Sequence, residues 1–303
     1  MFDVFTISTI VFFFALSLAA SFVNGALGYG FSSLAVPVAV LFFPNKILNP
    51  AFVIVELLVN SIMLVYERAQ FRKVLPRSAP IVVSLLPGVI VGSYLLSVVD
   101  PAWVRIFLYG TMLPLILLQA AGLRRPIKSE LGFKLPFGMG VGLCYSLTTI
   151  SGPPIALFWN NQGLAKNEFR AALAQVRFAE TVFTGLAYLL LRLYNPVSTQ
   201  LTGLMLIPMV IGIPLGALTI KRMGVEIFRR ICMSFDAWIV GYGLSKVLSD
   251  VGLLATDLAY SVFAMTILID VMLLYRFFGN HRANLNQHRT GHIPTFTTHK
   301  EHL

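Results

Sequence analysis

The chain has 303 residues, of which 57% are hydrophobic and 12% are charged, and its formal net charge is +10. A soluble domain carries about a quarter charged residues, so this composition excludes an ordinary soluble protein and favours a polytopic membrane protein. The positive charge does not indicate nucleic-acid binding, because the basic residues lie between apolar segments, where membrane topology places them.

Apolar segments follow one another along almost the whole chain, and most are long enough to cross a bilayer core of about 30 Å as a helix. They lie at about 4–23, 31–43, 48–66, 76–98, 101–122, 135–150, 153–161, 171–194, 200–220, 231–248 and 254–275. The alternating pattern of a membrane β-barrel is missing from the sequence. We therefore predict an all-α integral membrane protein with about 8–11 helical segments.

Two breaks interrupt these apolar segments. NGALGYG at 24–30 places three glycines within seven positions, and TTISGPP at 148–154 combines glycine with two prolines. A short segment follows each break, at 31–43 and 153–161. We expect broken helices whose short segments either cross the membrane or re-enter it. The alternative is that glycine and proline merely kink transmembrane helices, in which they are common.

The two halves of the sequence resemble each other. GVIVG at 88–92 matches GIPLG at 212–216, Glu56 matches Glu180, and Lys46 matches Arg170, all 124 positions apart. Each half holds about five segments, and repeats with an odd number of crossings must be inverted relative to each other. Inverted repeats with matching breaks are typical of secondary transporters, whose binding sites lie at those breaks.

The sequence therefore divides into five parts. They are a first repeat (1–122), a cytoplasmic linker (123–134), a second repeat (135–250), an extra transmembrane helix (251–277) and a disordered cytoplasmic tail that contains all five histidines (278–303). No basic region precedes the first apolar segment, so we expect a retained helix rather than a signal peptide.

Lysine and arginine predict the orientation of the chain. Five regions hold 18 of the 23 basic residues, namely 67–77, 123–134, 166–170, 221–230 and 276–300. The alternate loops, near 44–50, 98–101, 193–199 and 249–253, hold Lys46 alone. The positive-inside rule places the rich regions in the cytoplasm, with the N-terminus outside and the C-terminus inside.

Glu56 and Glu180 each lie about nine residues into an apolar segment, or roughly 13 Å along a helix. A charge at depth costs about 2.5–3.5 kcal/mol on insertion scales. Protonating a glutamate at pH 7 costs roughly 3.7 kcal/mol from its reference pKa. Because the two costs are close, we predict that the pair couples transport to protons. The alternative is a structural glutamate that hydrogen-bonds to another helix.

Arg177 precedes Glu180 by three positions, so both side chains share one helix face. The equivalent position in the first half is Val53, so this positive charge belongs to one half alone. Anion binding is the function that a buried arginine indicates. Simple pairing with Glu180 is the alternative.

The predicted substrate site combines Arg177 with the two breaks, because helix ends expose backbone N–H groups that suit an anion. The predicted substrate-binding residues are Asn24, Gly25, Gly28, Gly30, Ser151, Gly152, Pro153, Asn160, Gln175 and Arg177. Lys46 and Arg170 lie at helix starts, and we interpret them as gate residues or interfacial anchors. The glycines of GVIVG and GIPLG, together with Gly138, Gly140 and Gly142, are interpreted as close helix-packing positions.

Two stretches of the chain resemble signature regions of a known family. NGALGYGFSSLAVP at 24–37 and SGPPIALFWNNQGLAKNEFRAALA at 151–174 resemble those of the TauE/SafE sulfite exporter family, and the resemblance covers most of 5–250. It implies a bacterial inner-membrane carrier with two related halves, which moves small sulfur-containing or organic anions. Many members carry more consecutive glycines at the first region, which indicates a subgroup.

We therefore predict a secondary transporter that exports a small anion, such as sulfite, sulfoacetate or another organosulfonate, by proton-coupled alternating access. An anion channel and a carboxylate carrier of the same fold are the alternatives. The apolar segments lack histidine, and the chain lacks a GxxxxGK[ST] motif, so we expect neither an enzyme nor an ATP-driven pump, and no cofactor or metal. The expected partners are the anion and the lipid bilayer. The oligomeric state is open, with a homodimer as one candidate.

Overall fold

The computed structural model describes residues 6–121, 130–162, 164, 166–219 and 225–289. Every regular element within these residues is a helix, so the predicted all-α class is confirmed. The described helices are α1 (Ile7–Leu27), α2 (Phe31–Ala39), α3 (Asn45–Tyr66), α4 (Phe71–Val98), α5 (Pro101–Ala120), α6 (Glu130–Thr148), α7 (Gly152–Asn161), α8 (Lys166–Leu190), α9 (Pro196–Thr219), α10 (Val225–Asp250) and α11 (Thr256–Arg289). A short 3₁₀ turn, Arg68–Gln70, joins α3 to α4.

Most of these helices have the length and composition of membrane spans. Seven helices in the described part of the chain are long and apolar enough to cross a membrane, namely α1, α3, α4, α5, α9, α10 and α11. Helix α8 has 25 residues, but Arg177 and Glu180 make its middle polar. Helices α2 and α7 have 9 and 10 residues, so each extends over about 15 Å, or half of the bilayer core. The predicted multi-pass architecture with two short helices is confirmed.

Left-handed backbone conformations produce both breaks. Helix α1 ends where Gly28, at φ +85°, donates its N–H to the carbonyl of Asn24 at 2.7 Å. Gly30, at φ +112°, precedes α2, and a side chain there would strain the backbone. Helix α6 ends at Thr148, and the next residue, Thr149 at φ +57°, donates its N–H to the carbonyl of Tyr145 at 2.6 Å. The two long helices before the breaks therefore end in the same way.

The two halves of the chain interlock through close helix crossings. Helix α1 packs along α9, and α4 packs along α6. A Cβ on Gly88 would lie 1.9 Å from the carbonyl oxygen of Met139, and one on Gly216 would lie 1.9 Å from the carbonyl oxygen of Phe22. The packing role predicted for GVIVG and GIPLG is confirmed, because these helices approach closer than any side chain allows.

The three glycines of α6 do not share one role. A Cβ on Gly138 would lie 2.0 Å from Ser84 Oγ, and one on Gly142 would lie 2.4 Å from the carbonyl oxygen of Leu85. No described atom lies within 4 Å of a Cβ on Gly140. The packing role expected of Gly140 is wrong, because a position two residues away points to the opposite side of a helix.

The order of long and short helices occurs twice. One long, one short and three long helices make up α1–α5, and the same order returns in α6–α10. Two related repeats would give this order, and their inverted relation stays a prediction. Helix α6 begins at Glu130, within the linker expected at 123–134, and residues 122–129 lie outside the described residues.

Helix α11 lies outside this twofold order and packs on α10. The buried Asp270 of α11 accepts hydrogen bonds from Arg230 Nη2 at 2.8 Å, Ser234 Oγ at 3.2 Å and Trp238 Nε1 at 3.1 Å. The helix continues to Arg289, past the boundary expected at residue 277, because extending a formed helix costs little. Residues 290–303, with three of the five histidines, lie outside the described residues.

Candidate functional site

A buried ion pair joins α3 and α8 at the middle of the molecule. Arg177 Nη2 lies 2.5 Å from Glu56 Oε1, and the two residues are 1% and 0% exposed. Two charges at this depth are tolerated only when they are paired and hydrogen-bonded, because the surroundings offer no water to solvate them. The geometry therefore makes Glu56 the principal counter-ion of Arg177.

Both oxygens of Glu56 are held by further donors. Ser32 Oγ donates to Oε1 at 2.7 Å, and Tyr145 Oη donates to Oε2 at 2.7 Å. Three donors on one carboxylate are the arrangement that an ionised group favours, since it offers only acceptors. Glu56 is thus tied to α2, α6 and α8 at once.

Glu180 lies beside the same arginine but is held differently. Its Oε1 lies 4.0 Å from Arg177 Nε, beyond hydrogen-bond distance, and accepts a short hydrogen bond from Ser151 Oγ. Its Oε2 is buried and has no hydrogen-bond partner among the described residues. A carboxyl with one oxygen unpartnered can take up a proton without breaking an existing hydrogen bond.

Arg177 also reaches the first break. Its Nη1 donates to Asn24 Oδ1 at 3.3 Å, and Asn24 lies in the last turn of α1. Its Nε has no hydrogen-bond partner in the described part of the chain. The guanidinium therefore hydrogen-bonds to the first break through Asn24 and lies 4.0 Å from Glu180, whose carboxyl Ser151 of the second break holds.

A serine at or next to each break holds one glutamate. Ser32 is the second residue of α2, and Ser151 directly precedes α7. Two neutral side chains lie beside this arrangement: Asn60 Nδ2 donates to Thr181 Oγ1 at 2.9 Å, and Thr181 Oγ1 lies 3.2 Å from the hydroxyl of Tyr145. The sequence predicted Ser151 but missed Ser32, although Ser32 lies two positions after NGALGYG. It also missed Tyr145, which no motif marks.

The two breaks contact each other. A Cβ on Gly152 would lie 3.3 Å from Tyr29 Cδ2 and 3.4 Å from Ser33 Oγ. Gly30 and Pro153 line the same small cavity. The glycines predicted at the breaks thus shape the backbone there, while the polar contacts to Arg177 come from side chains.

Two of the predicted substrate residues lie elsewhere. A Cβ on Gly25 would lie 2.1 Å from the carbonyl oxygen of Ile213, so Gly25 serves the crossing of α1 and α9. Gln175 accepts a short hydrogen bond from Ser78 and donates to the carbonyl of Phe71 at 2.7 Å. Its amide therefore binds α4 and not the Arg177 group. The side chain of Asn160 lies outside the described residues.

The two predicted gate residues lie away from the Arg177 group. Arg170 Nε lies 2.8 Å from Glu67 Oε1, and both residues line a cavity of about 400 Å³ next to Gly25. The Arg170 side chain also comes within 3.6 Å of the Cβ position of Gly28, at the first break. Lys46 Nζ donates to the carbonyl of Ser97 at 2.9 Å and so joins α3 to the end of α4.

This arrangement suits the binding of an anion and a proton. Arginine offers five N–H donors in one plane, and Arg177 keeps Nε unpartnered within the described residues. The described residues contain no group of three or more His, Cys, Asp or Glu placed to hold a metal ion. The charged and polar side chains around Arg177 can provide charge pairing, hydrogen bonding and proton transfer.

A family model described as sulfite exporter TauE/SafE matches residues 13–243, which confirms the family indicated by the two signature regions. Searches of curated proteins and of solved structures gave no match. The family consists of transporters rather than enzymes, in agreement with the prediction from sequence. Because the match covers well over half of the chain, this protein belongs to the sulfite exporter TauE/SafE family.

Proposed function

We propose that the chain is a secondary transporter that exports a small anion, such as sulfite, sulfoacetate or another organosulfonate. The observation that carries this proposal is the buried Arg177, which lies between two helix breaks and whose Nε–H has no protein acceptor in the described residues. The planar guanidinium matches the oxygens of a sulfonate or sulfite in a bidentate manner.

Binding the anion requires a change of charge at the site. Arg177 carries one positive charge, whereas Glu56 and Glu180 together carry two negative charges when both are ionised. An anion would then meet a net negative site. Protonation of Glu180 removes one negative charge and leaves Arg177 Nε to the anion, so we propose that the proton and the anion bind together. Glu56, which was predicted to act with Glu180, would instead hold the arginine in place.

Alternating access would follow from motion of the two halves. The repeated helix order and the reciprocal crossings, α1 on α9 and α4 on α6, support a twofold relation between them. The cavity beside Arg170 and Glu67 lies next to the basic regions assigned to the cytoplasm, and we propose that it is the inner entrance. The N-terminus would face outward and the C-terminus inward, in a bacterial inner membrane.

The experiment is anion flux into proteoliposomes that contain the purified protein. We expect saturable flux of sulfite or sulfoacetate, and we expect Arg177→Lys to reduce it at least tenfold, because lysine keeps the charge but loses the bidentate geometry. Arg230→Lys is the matched control, since Arg230 is also buried and paired with a carboxylate, but between α10 and α11. Equal losses in the two variants would contradict the proposal.

Two further arms separate the alternatives. A carrier shows counterflow, in which anion on one side accelerates exchange with the other, whereas a channel shows none. Formate and acetate test a carboxylate carrier, because a guanidinium binds carboxylates in the same bidentate manner. Flux of the wild-type protein that is unaffected by a pH gradient would contradict proton coupling while leaving anion transport intact.

A further inference from the structure

A second group of buried polar side chains lies at the two breaks, built on α5 and α10 rather than on α3 and α8. A small cavity there is lined by Tyr29 of the first break, Ser33 of α2, Pro153 of the second break, Gln119 of α5 and Asp236 of α10. Its volume of about 20 Å³ has room for one water molecule. The Arg177 group does not use any of these residues.

Four polar atoms at this cavity are buried without a hydrogen bond of normal geometry among the described residues, although the side chains of Tyr29 and Gln119 lie close enough to interact with each other. They are Tyr29 Oη, Ser33 Oγ, Gln119 Nε2 and Asp236 Oδ1. Tyr29, Ser33 and Gln119 are less than one-tenth exposed, at 7%, 5% and 8%. Native proteins rarely bury several such atoms together unless a ligand completes their hydrogen bonds. The ligand must fit the size of a water molecule and must both donate and accept.

We propose that this cavity is a proton-exchange site in which one water molecule joins the Asp236 carboxyl to Tyr29, Ser33 and Gln119. Water accepts from the amide of Gln119 and donates to the carboxylate, which a metal cation does not do. Arg229 also lines the cavity and opposes a second positive ion there. Proton and water therefore fit this site better than a metal cation.

The charged and titratable groups that face Asp236 are few. Arg229 and Cys232 come from its own helix, and Tyr29 comes from the first break. Helix α5 contributes the neutral Gln119. Asp270 of α11 is bound by Arg230 on another face of α10, so it does not enter the cavity.

Tyr29 connects this site to both breaks. It stands between Gly28 and Gly30, which are both left-handed, and its ring lies 3.3 Å from the Cβ position of Gly152. Protonation changes the Asp236 carboxyl from an acceptor into a donor toward the water. Protonation of Asp236 therefore changes the hydrogen bonding of the water that also contacts Tyr29, and Tyr29 in turn contacts Gly152 of the second break.

The experiment is labelling of the full chain in lipid with dicyclohexylcarbodiimide, a reagent that modifies protonated carboxyls in apolar surroundings, with sites mapped by mass spectrometry. We expect labelling of Asp236 to rise as pH falls, by about tenfold per unit where the carboxyl is mostly ionised. Asp270 is the control within the chain, because three donors and α11 cover its carboxylate. Labelling of Asp236 that equals that of Asp270 at every pH would overturn the proposal.

Two further measurements test the water and the choice of ion. Gln119→Leu removes the donor that holds the water against the Asp236 carboxylate, which disfavours the ionised form, so we expect it to raise the labelling of Asp236 at least threefold at a pH where the carboxyl is mostly ionised. Unchanged labelling in this variant would overturn the water-joined arrangement. Protection of Asp236 by Na⁺, compared with choline at equal ionic strength, would show a cation site instead. None of these measurements requires transport, so they stand or fall apart from the proposed function.

Discussion

The two halves of the protein each place one glutamate in a long helix beside a short one, yet different groups hold the two carboxyls. Glu56 in the first half binds Arg177, Ser32 and Tyr145. Glu180 in the second half binds Ser151 and keeps one oxygen without a partner among the described residues. Glu56 and Glu180, which occupy matching positions in the two halves, therefore have different hydrogen-bond partners.

The two carboxyls have different relations to the buried Arg177. The fully hydrogen-bonded carboxylate of Glu56 compensates the positive charge of the arginine, which could not stay buried without such a partner. A second carboxyl at 4.0 Å is close enough to influence the arginine without being required for its stability. If this division is right, variants of the two residues should differ first in stability and then in pH dependence.

The largest expected effect is that of Glu56→Gln. This change leaves Arg177 without its close counter-ion, so we expect a loss of about 3–5 kcal/mol in the free energy of unfolding. Glu180→Gln is the matched variant, and we expect it to change stability by less than about 1 kcal/mol, because its carboxylate makes no close ion pair. Chemical denaturation in detergent micelles measures both. Equal losses would remove the distinction between the two carboxyls.

An intermediate effect is expected from Tyr145→Phe. The phenol donates to the charged Glu56, and hydrogen bonds to charged groups contribute about 1.5–3 kcal/mol. Tyr188→Phe serves as control, since the hydroxyl of this equally buried tyrosine donates to the neutral carbonyl of Ser146, where about 1 kcal/mol is expected. The same denaturation experiment compares them, and a larger loss for Tyr188→Phe would argue against an ionised Glu56.

Smaller losses of stability, about 1–1.5 kcal/mol each, are expected from Ser32→Ala and Ser151→Ala, because Glu56 Oε1 keeps Arg177 as a partner and Glu180 makes no close ion pair. Their effects on transport should nevertheless differ. Ser151 is the one described hydrogen-bond donor to Glu180, so Ser151→Ala should shift the pH dependence of anion flux, whereas Ser32→Ala should leave it unchanged because Arg177 and Tyr145 still hold Glu56. Flux into proteoliposomes at several pH values checks this. A shift in Ser32→Ala alone would reverse the assignment.

Much of the fold could be predicted from local pattern. Long apolar runs can satisfy their backbone in a bilayer only as helices, so the all-α membrane class follows from composition. The two breaks follow from glycine and proline, and the shared face of Arg177 and Glu180 follows from a spacing of three residues. These predictions succeeded because each depends on residues that are close together in sequence.

The sequence does not indicate which side of a helix a residue faces, as Gly25 and Gln175 illustrate. Gly25 lies within NGALGYG, but a close crossing with α9 occupies its side of α1. Gln175 lies two positions before Arg177, so it points away from Arg177 and toward α4. Spacing relates two positions on one helix, but it does not tell which neighbouring helix each position meets.

Local sequence patterns were sufficient to predict the helical membrane class, the two breaks and the ionisable residues that a bilayer makes expensive to bury. The three-dimensional packing was needed to show that Glu56 is the counter-ion of Arg177, 121 residues away, and that Asn24 and Tyr145 complete the group. The physical reason is that a buried charge must find partners wherever helix packing supplies them. Packing between distant segments is set by the whole fold and leaves no local pattern in the sequence.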